Sequence, residues 1–222
     1  MTEIKICGIT DLEDALFAVA CGVEALGFIF YNRSPRHITP SDARRIITAL
    51  PPEVAMVGVF VNQKPDEVQQ IFDDCGLDYI QLHGDETPAY CRRFSPSLLI
   101  KAVSLTGEAE LPALASYQVR AMLVDSRDAG RYGGTGRRAN WALARRVKEN
   151  RPLILSGGLK AENIAAALAE VSPAAVDINS GVEIAPGRKD RDKVRRVVDI
   201  IRSKDEIKGV RKLFIPRPQT ER

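Results

Sequence analysis

A thiol and a carboxylate stand at two points where this chain leaves an apolar run, and together they could move protons. The thiol is Cys7, in Lys5-Ile-Cys-Gly-Ile-Thr10, where a short apolar stretch ends and Gly8 breaks it. The carboxylate is Asp125, which closes the run 121–125. Without metal ligands beside them, such a pair suits a general base and a general acid. Each also has a plainer reading. A free cysteine is commonly a small buried hydrophobe, and an aspartate at a strand end is commonly a turn or cap residue. The fold must bring the two together for the chemistry to hold.

Other residues suggest anion binding. Ser156-Gly-Gly158 and Asn179-Ser-Gly181 follow late apolar runs, and glycine there lets backbone N–H groups approach a phosphate. The alternative is that Gly157, Gly158 and Gly181 only permit tight turns. Arg36 follows Pro35 in a loop, where a fixed guanidinium could hold a carboxylate through two hydrogen bonds, or could simply be solvated. The chain has two histidines, His37 and His83, without the paired spacing of a transition-metal centre, so no such centre is expected. His83 is a site residue or a turn residue on this view.

The elements that must position these groups are eight β-rich runs, near 3–7, 24–30, 54–61, 78–82, 98–103, 121–125, 153–156 and 174–179. Helical patterns lie between them. Leu12, Ala15, Leu16, Val19 and Ala20 form one apolar stripe, and Val68, Ile71, Phe72 and Cys75 another. Thr10 or Asp11 can cap the first helix, and Thr39-Pro40 opens the second with a cap and an N1 proline. Val194, Val197, Val198 and Ile201 mark the last helix. The segments near 86–94 and 108–116 are weaker. The strands are nearly continuous apolar runs, as strands covered on both faces are. Eight βα units in one chain of 222 residues predict an α/β fold, a single (β/α)8 TIM barrel, with function in the loops after the strands. An open doubly wound sheet is less favoured, because the first turn lacks the GxGxxG fingerprint.

Hydrophobic residues make up 45% of the chain and charged ones 27%, enough for a buried core under a soluble surface. The net charge of +3 resides in the segment Ser203–Arg222, which leaves a neutral body and argues against nucleic acid as a partner. Cysteines at 7, 21, 75 and 91 form no paired framework and read as reduced thiols of a cytoplasmic protein. No transmembrane run or signal-peptide core is visible, so no membrane partner is expected. Residues 1–202 form the predicted catalytic domain, and 203–222 a basic, partly disordered extension that is dispensable for catalysis.

Taken in order, Lys5-Ile-Cys-Gly-Ile-Thr10, Ser34-Pro-Arg36, Val57-Gly-Val-Phe-Val-Asn62, Gln81-Leu-His-Gly84, Gly133-Gly-Thr-Gly136, Ser156-Gly-Gly-Leu159 and Asp177-Ile-Asn-Ser-Gly-Val-Glu183 resemble the phosphoribosylanthranilate isomerase family. Pro186-Gly-Arg-Lys-Asp190 is similar to that family's ending, and the resemblance spans residues 3–202. It implies a metal- and cofactor-free Amadori rearrangement of N-(5-phosphoribosyl)anthranilate in tryptophan biosynthesis. It further implies Cys7 as general base and Asp125 as general acid. Arg36 would take the anthranilate carboxylate, His83 and Asp177 would contact substrate, and Gly157, Gly158, Ser180 and Gly181 would hold the phosphate. The expected partner is this small-molecule phosphosugar, with the chain a monomer or a homodimer.

The chain departs from the family pattern at Arg137-Arg138-Ala139-Asn140, at Asn179, and in the 203–222 segment. The thiol must give up its proton while the carboxyl keeps one, so their surroundings must tune them in opposite directions; the first helix N-terminus is expected to lower Cys7. A ribulose-phosphate epimerase would need metal-binding histidines, and an indole-glycerol-phosphate synthase a strand-end lysine, for which Lys5 and Lys101 are the candidates. A phosphate-binding module without catalysis would have no use for both Cys7 and Asp125.

Overall fold

Eight parallel strands close in sequence order into a barrel: β1 (Glu3–Cys7), β2 (Ala25–Ile29), β3 (Ala55–Phe60), β4 (Tyr79–Leu82), β5 (Leu99–Val103), β6 (Ala121–Val124), β7 (Leu153–Leu155) and β8 (Ala175–Ile178). The computed structural model of the chain describes residues 1–126, 139–204 and 212–218. Each predicted run contains one strand. The helices are α1 (Leu12–Ala20), α2 (Pro40–Thr48), α3 (Pro65–Cys75), α4 (Pro88–Cys91), α5 (Trp141–Lys148), α6 (Ile164–Val171) and α7 (Arg191–Lys204). No helix among the described residues is long and apolar enough to cross a membrane. The Gly133–Gly136 motif and Arg137-Arg138 lie outside the described residues.

Two separate apolar layers explain why the strands carry so few polar residues. Outward-facing side chains such as Ile4, Ile6, Phe28, Met56, Leu82 and Val176 join the helices in one large cluster. Inward-facing ones form a smaller cluster of Ala25, Ala55, Val57, Tyr79, Ile100, Ala121, Leu123, Ile154 and Ala175, which no helix enters. Successive side chains on a strand face opposite ways. Lys5 and Cys7, alternating with Ile4 and Ile6, therefore project into the barrel.

Local sequence signals account for most helix starts. Asp11, not Thr10, caps α1, accepting from the N–H groups of Glu13 and Asp14 at 2.9 and 3.1 Å. Thr10 instead donates to the Gly187 carbonyl at 2.6 Å. Thr39 caps α2 with Pro40 behind it, as its sequence predicts. The α1 stripe differs from expectation: Ala15 and Ala18 are buried while Leu16 is 42% exposed. A helix apolar nearly all round leaves its burial face to be decided by the strands beneath it. The weak segments shrink to the single turn α4 and a 3-10 helix over Glu108–Ser116 interrupted by Pro112.

Two features were not foreseen. After β8, Glu183–Ala185 (β9) and Arg188–Lys189 (β10) pair as a small antiparallel hairpin. Residues 212–218, read from sequence as part of an appendage, lie under the barrel. Leu213 and Phe214 are buried within the inner apolar cluster. Both of their N–H groups donate to Glu3 Oε2, at 2.9 and 2.8 Å. Small inward residues (Ala25, Ala55, Ala121, Ala175) leave a space that the larger side chains from the tail fill.

Candidate active site

The carboxyl ends of the strands carry a polar layer on top of the inner apolar one. Cys7 ends β1 and is 4% exposed. Lys5, two residues below it, is fully buried, and its Nζ lies 2.8 Å from Asp177 Oδ1. Register makes this pair: Lys5 faces Asp177 across the β1–β8 seam that closes the barrel. Burial pushes the Cys7 thiol above its usual value, with the Lys5 ammonium pulling the other way. This corrects the expectation of a thiol lowered by the first helix. The N-terminus of α1 is already occupied by the Asp11 carboxylate, and the nearest strong positive charge is Lys5. Burial also opposes the charge on Lys5, but Asp177 and the thiol outweigh it and raise the ammonium above its usual range.

Asp125 follows β6, on the same rim as Cys7 and three strands away around the ring. Its Oδ2 is 3.2 Å from His83 Nε2, and its Oδ1 accepts the Ser126 N–H at 2.7 Å. Behind the imidazole, Gln81 Nε2 is 2.9 Å from His83 Nδ1. With the amide nitrogen facing Nδ1, the ring proton sits on Nε2 and His83 donates to Asp125. His83 thus touches the candidate acid. A cavity of about 560 Å³ adjoins both residues, lined on its far side by Leu105, Ala109 and Ala113. A larger hollow, about 1220 Å³, lies at the opposite end of the barrel and contains none of the candidate site residues.

Arg36 is not a solvated arginine. Its Nε donates to Glu183 Oε1 at 2.9 Å and its Nη2 to Glu183 Oε2 at 2.7 Å, both groups buried. Glu183 therefore occupies the Nε–Nη2 side of the guanidinium, and the Nη1–Nη2 end keeps its own fork for a second carboxylate. Lys189, from the hairpin, ties this pair to the first strand: its Nζ donates to Glu183 Oε1 at 2.9 Å, Asn179 Oδ1 at 3.1 Å and the Cys7 carbonyl at 2.5 Å. Burial works against the Glu183 carboxylate, yet Arg36 and Lys189 hold its carboxyl below the usual range.

The turns after β7 and β8 are pressed together. A Cβ on Gly181 would lie 1.9 Å from the Leu159 carbonyl oxygen, so only glycine fits between them. Gly157, at φ +88°, would bring a Cβ to 2.8 Å from the Ser126 amide nitrogen. The N–H groups of Gly157, Gly158, Ser180 and Gly181 meet no acceptor among the described residues. Asn163 holds the first turn by donating to the Gly158 carbonyl at 2.9 Å. Such a cluster of amides suits a phosphate.

Sequence reasoning picked Cys7, Asp125, Arg36, His83, Asp177 and both turns, and all come to one end of the barrel. It gave no role to Gln81, Glu183 or Lys189, and none in the isomerase reading to Lys5. Lys5 could have been found from its i, i+2 spacing to Cys7, which sets both on one strand face. Glu183 and Lys189 flank Pro186-Gly187, a hairpin turn signal.

A family model described as N-(5'phosphoribosyl)anthranilate (PRA) isomerase matches residues 4–200. An N-(5'-phosphoribosyl)anthranilate isomerase of Syntrophus aciditrophicus is 53% identical over 222 residues, all of this chain and 95% of that protein. The crystal structure of the phosphoribosyl anthranilate isomerase of Thermotoga maritima superposes with a TM-score of 0.84 at 42% identity, covering 91% of this chain and 100% of that one. A further isomerase structure, 41% identical with a TM-score of 0.81 and the same coverage, is a complex with reduced 1-(o-carboxyphenylamino)-1-deoxyribulose 5-phosphate.

Proposed function

The chain belongs to the N-(5'-phosphoribosyl)anthranilate isomerase family, and from that premise we propose that Cys7 and Asp125 carry the proton transfers of its reaction. The activity is the isomerisation of phosphoribosylanthranilate in tryptophan biosynthesis, an Amadori rearrangement that yields 1-(2-carboxyphenylamino)-1-deoxyribulose 5-phosphate. Asp125 protonates the furanose ring oxygen, the C1–O bond breaks, and the anthranilate nitrogen supplies the electron pair that makes an iminium. That electron sink acidifies the C2 hydrogen, which Cys7 removes as a thiolate. The resulting enolamine tautomerises to the aminoketone. The single observation that supports this assignment is the shared rim: Cys7 beside an ammonium, and Asp125 beside an imidazole that donates to it.

Binding follows from the same rim. The free end of the Arg36 guanidinium takes the anthranilate carboxylate, while Glu183 keeps the ring of donors from turning. The four turn amides take the phosphate. Asp177 serves the site through Lys5, with Oδ2 left for a substrate hydroxyl. Every residue in this reading comes from one chain, so it holds for a monomer and a homodimer alike, and the reduced thiols support a cytoplasmic setting.

The reaction needs a thiolate on Cys7 and a proton on Asp125 at once. Acid removes the first and alkali the second, so kcat/KM should fall on both sides of a maximum. Purified protein given phosphoribosylanthranilate should change anthranilate fluorescence without an added metal or cofactor. No turnover under those conditions would overturn the reading.

A further inference from the structure

We infer that Lys5 is a positioning residue for the base: its ammonium holds the proton-accepting form of Cys7, and Asp177 fixes that ammonium in place. The inference rests on the assignment of Cys7 as base. Lys5 is among the largest fully buried side chains of the protein. A buried ammonium is costly unless its hydrogens find partners. One goes to Asp177 Oδ1 at 2.8 Å. Cys7 Sγ stands two residues on, on the same face of β1, and both atoms border the point that a Cβ on Gly27 of β2 would occupy.

The neighbouring strand has been cleared to allow this. Cys7 pairs in register with Gly27 on β2. A Cβ at Gly27 would stand 2.7 Å from Cys7 Sγ and 3.0 Å from Lys5 Nζ. Any side chain there would displace the thiol, the ammonium or both. The cleared position is lined by the thiol and the ammonium together, so one slot seats both.

Charge balance points the same way. The groups facing Cys7 are Asp177 from β8 and Lys189 from β10, with Glu183 and Arg36 beyond Lys189, and His83 and Asp125 across the mouth. In the connected network, Lys5, Lys189 and Arg36 face the carboxylates of Asp177 and Glu183, which leaves one positive charge unmatched. A thiolate on Cys7, once formed, matches it.

The test reads the thiol directly and needs no turnover. Alkylation of Cys7 by iodoacetamide, resolved from Cys21, Cys75 and Cys91 by peptide mass spectrometry, is followed against pH in the wild type, Lys5→Met and Asp177→Asn. Lys5→Met should move the midpoint up by about one unit or more, the size expected on losing an adjacent opposite charge. At pH 8 this reads as an alkylation rate about tenfold lower. Asp177→Asn keeps an amide oxygen to hold the ammonium, removes the competing anion and should move the midpoint down. Opposite signs are not expected of two variants that merely loosen the fold. Should Lys5→Met fail to fold with an unpaired Asp177, the double variant Lys5→Met/Asp177→Asn removes both charges and should still show an upward shift, since Lys5 acts on the thiol more strongly than Asp177. An unmoved midpoint, or shifts of the same sign in the two single variants, would overturn the inference. Failure of Cys7 as base would show separately, as wild-type turnover in Cys7→Ala.

Discussion

The two ends of this barrel are built from the same strands and solve opposite problems. At the mouth, buried charges are gathered: Lys5 with Asp177, Arg36 with Glu183, Lys189 between Glu183 and Cys7. At the floor, apolar bulk is gathered: Leu213 and Phe214 rise into the space under Ala25, Ala55 and Ala121, with the Tyr79 ring 5.9 Å from that of Phe214. Replacing a buried ion pair by apolar residues is often neutral or stabilising, so the mouth is a poor place to look for stability. Filling a cavity is a dependable one. The division predicts that mouth variants lose rate while floor variants lose stability.

The largest effect that tests the division is at the base. Cys7→Ala should lower kcat by roughly 10²–10⁴ with KM little changed, because it removes the proton acceptor and no binding contact. Asp125→Asn should lose as much, at an earlier step. Single turnovers with substrate deuterated at C2 separate the two: a large isotope effect in Cys7→Ala, where proton abstraction limits, and little in Asp125→Asn, where ring opening limits. Melting temperatures of both should stay near wild type. A Cys7→Ala protein that turns over normally would return the thiol to a purely structural role.

Next in size is the floor. Phe214→Ala should cost about 3–5 kcal/mol of stability, the usual range for a buried phenylalanine. Its kcat, measured well below the melting point, should be unchanged. Removing the whole segment after Lys204 should cost more, because Leu213 is lost with Phe214 and Glu3 loses both of their amides. If either change lowers kcat at a temperature where the barrel is folded, the two ends are coupled and the division fails.

Arg36→Lys should be smaller. A lysine keeps the charge but loses both forks, so Glu183 and the substrate carboxylate can no longer be held together. A fall in kcat/KM of about 10–100-fold is expected for losing charge-assisted hydrogen bonds, carried mostly by KM. An effect confined to thermal stability would mean that Arg36 only supports Glu183.

The reason the floor and much of the mouth escaped the sequence is sequence distance. The strands were legible because each is buried on both faces and so reads as one apolar word, such as 54–61. Cys7, Asp125 and the two glycine turns were legible because each sits at the end of such a word. Their partners were not. Lys5 and Asp177 are 172 residues apart, and Arg36 and Glu183 are 147 apart, joined only when β8 closes on β1. Leu213 and Phe214 are two apolar residues in a basic stretch, with no period to mark them. Only the space left by the inward alanines makes them a plug.

The finest test of the comparison uses two glutamates, one at each end, that burial and partners push in opposite directions. At the mouth, Arg36 and Lys189 overcome burial and hold Glu183 below its usual 4.5. At the floor, burial outweighs the hydrogen bonds from Phe214 and Leu213 and raises Glu3 above its usual 4.5. A depressed carboxyl stabilises the fold above its unfolded value, and that stabilisation is lost as pH falls through the folded one. A raised carboxyl does the reverse: its contribution is full below the unfolded value and disappears as pH rises through the folded one. The wild-type stability curve in the acid range is therefore a difference of two slopes. Urea midpoints measured from pH 3 to 7 should separate them. Glu183→Gln should remove the loss on acidification that begins below the usual carboxylate value. Glu3→Gln should instead gain on the wild type as pH rises past that value, since its amide oxygen can still accept both tail N–H groups without carrying a charge. Parallel curves for the two variants would show that the ends of the barrel do not differ electrostatically.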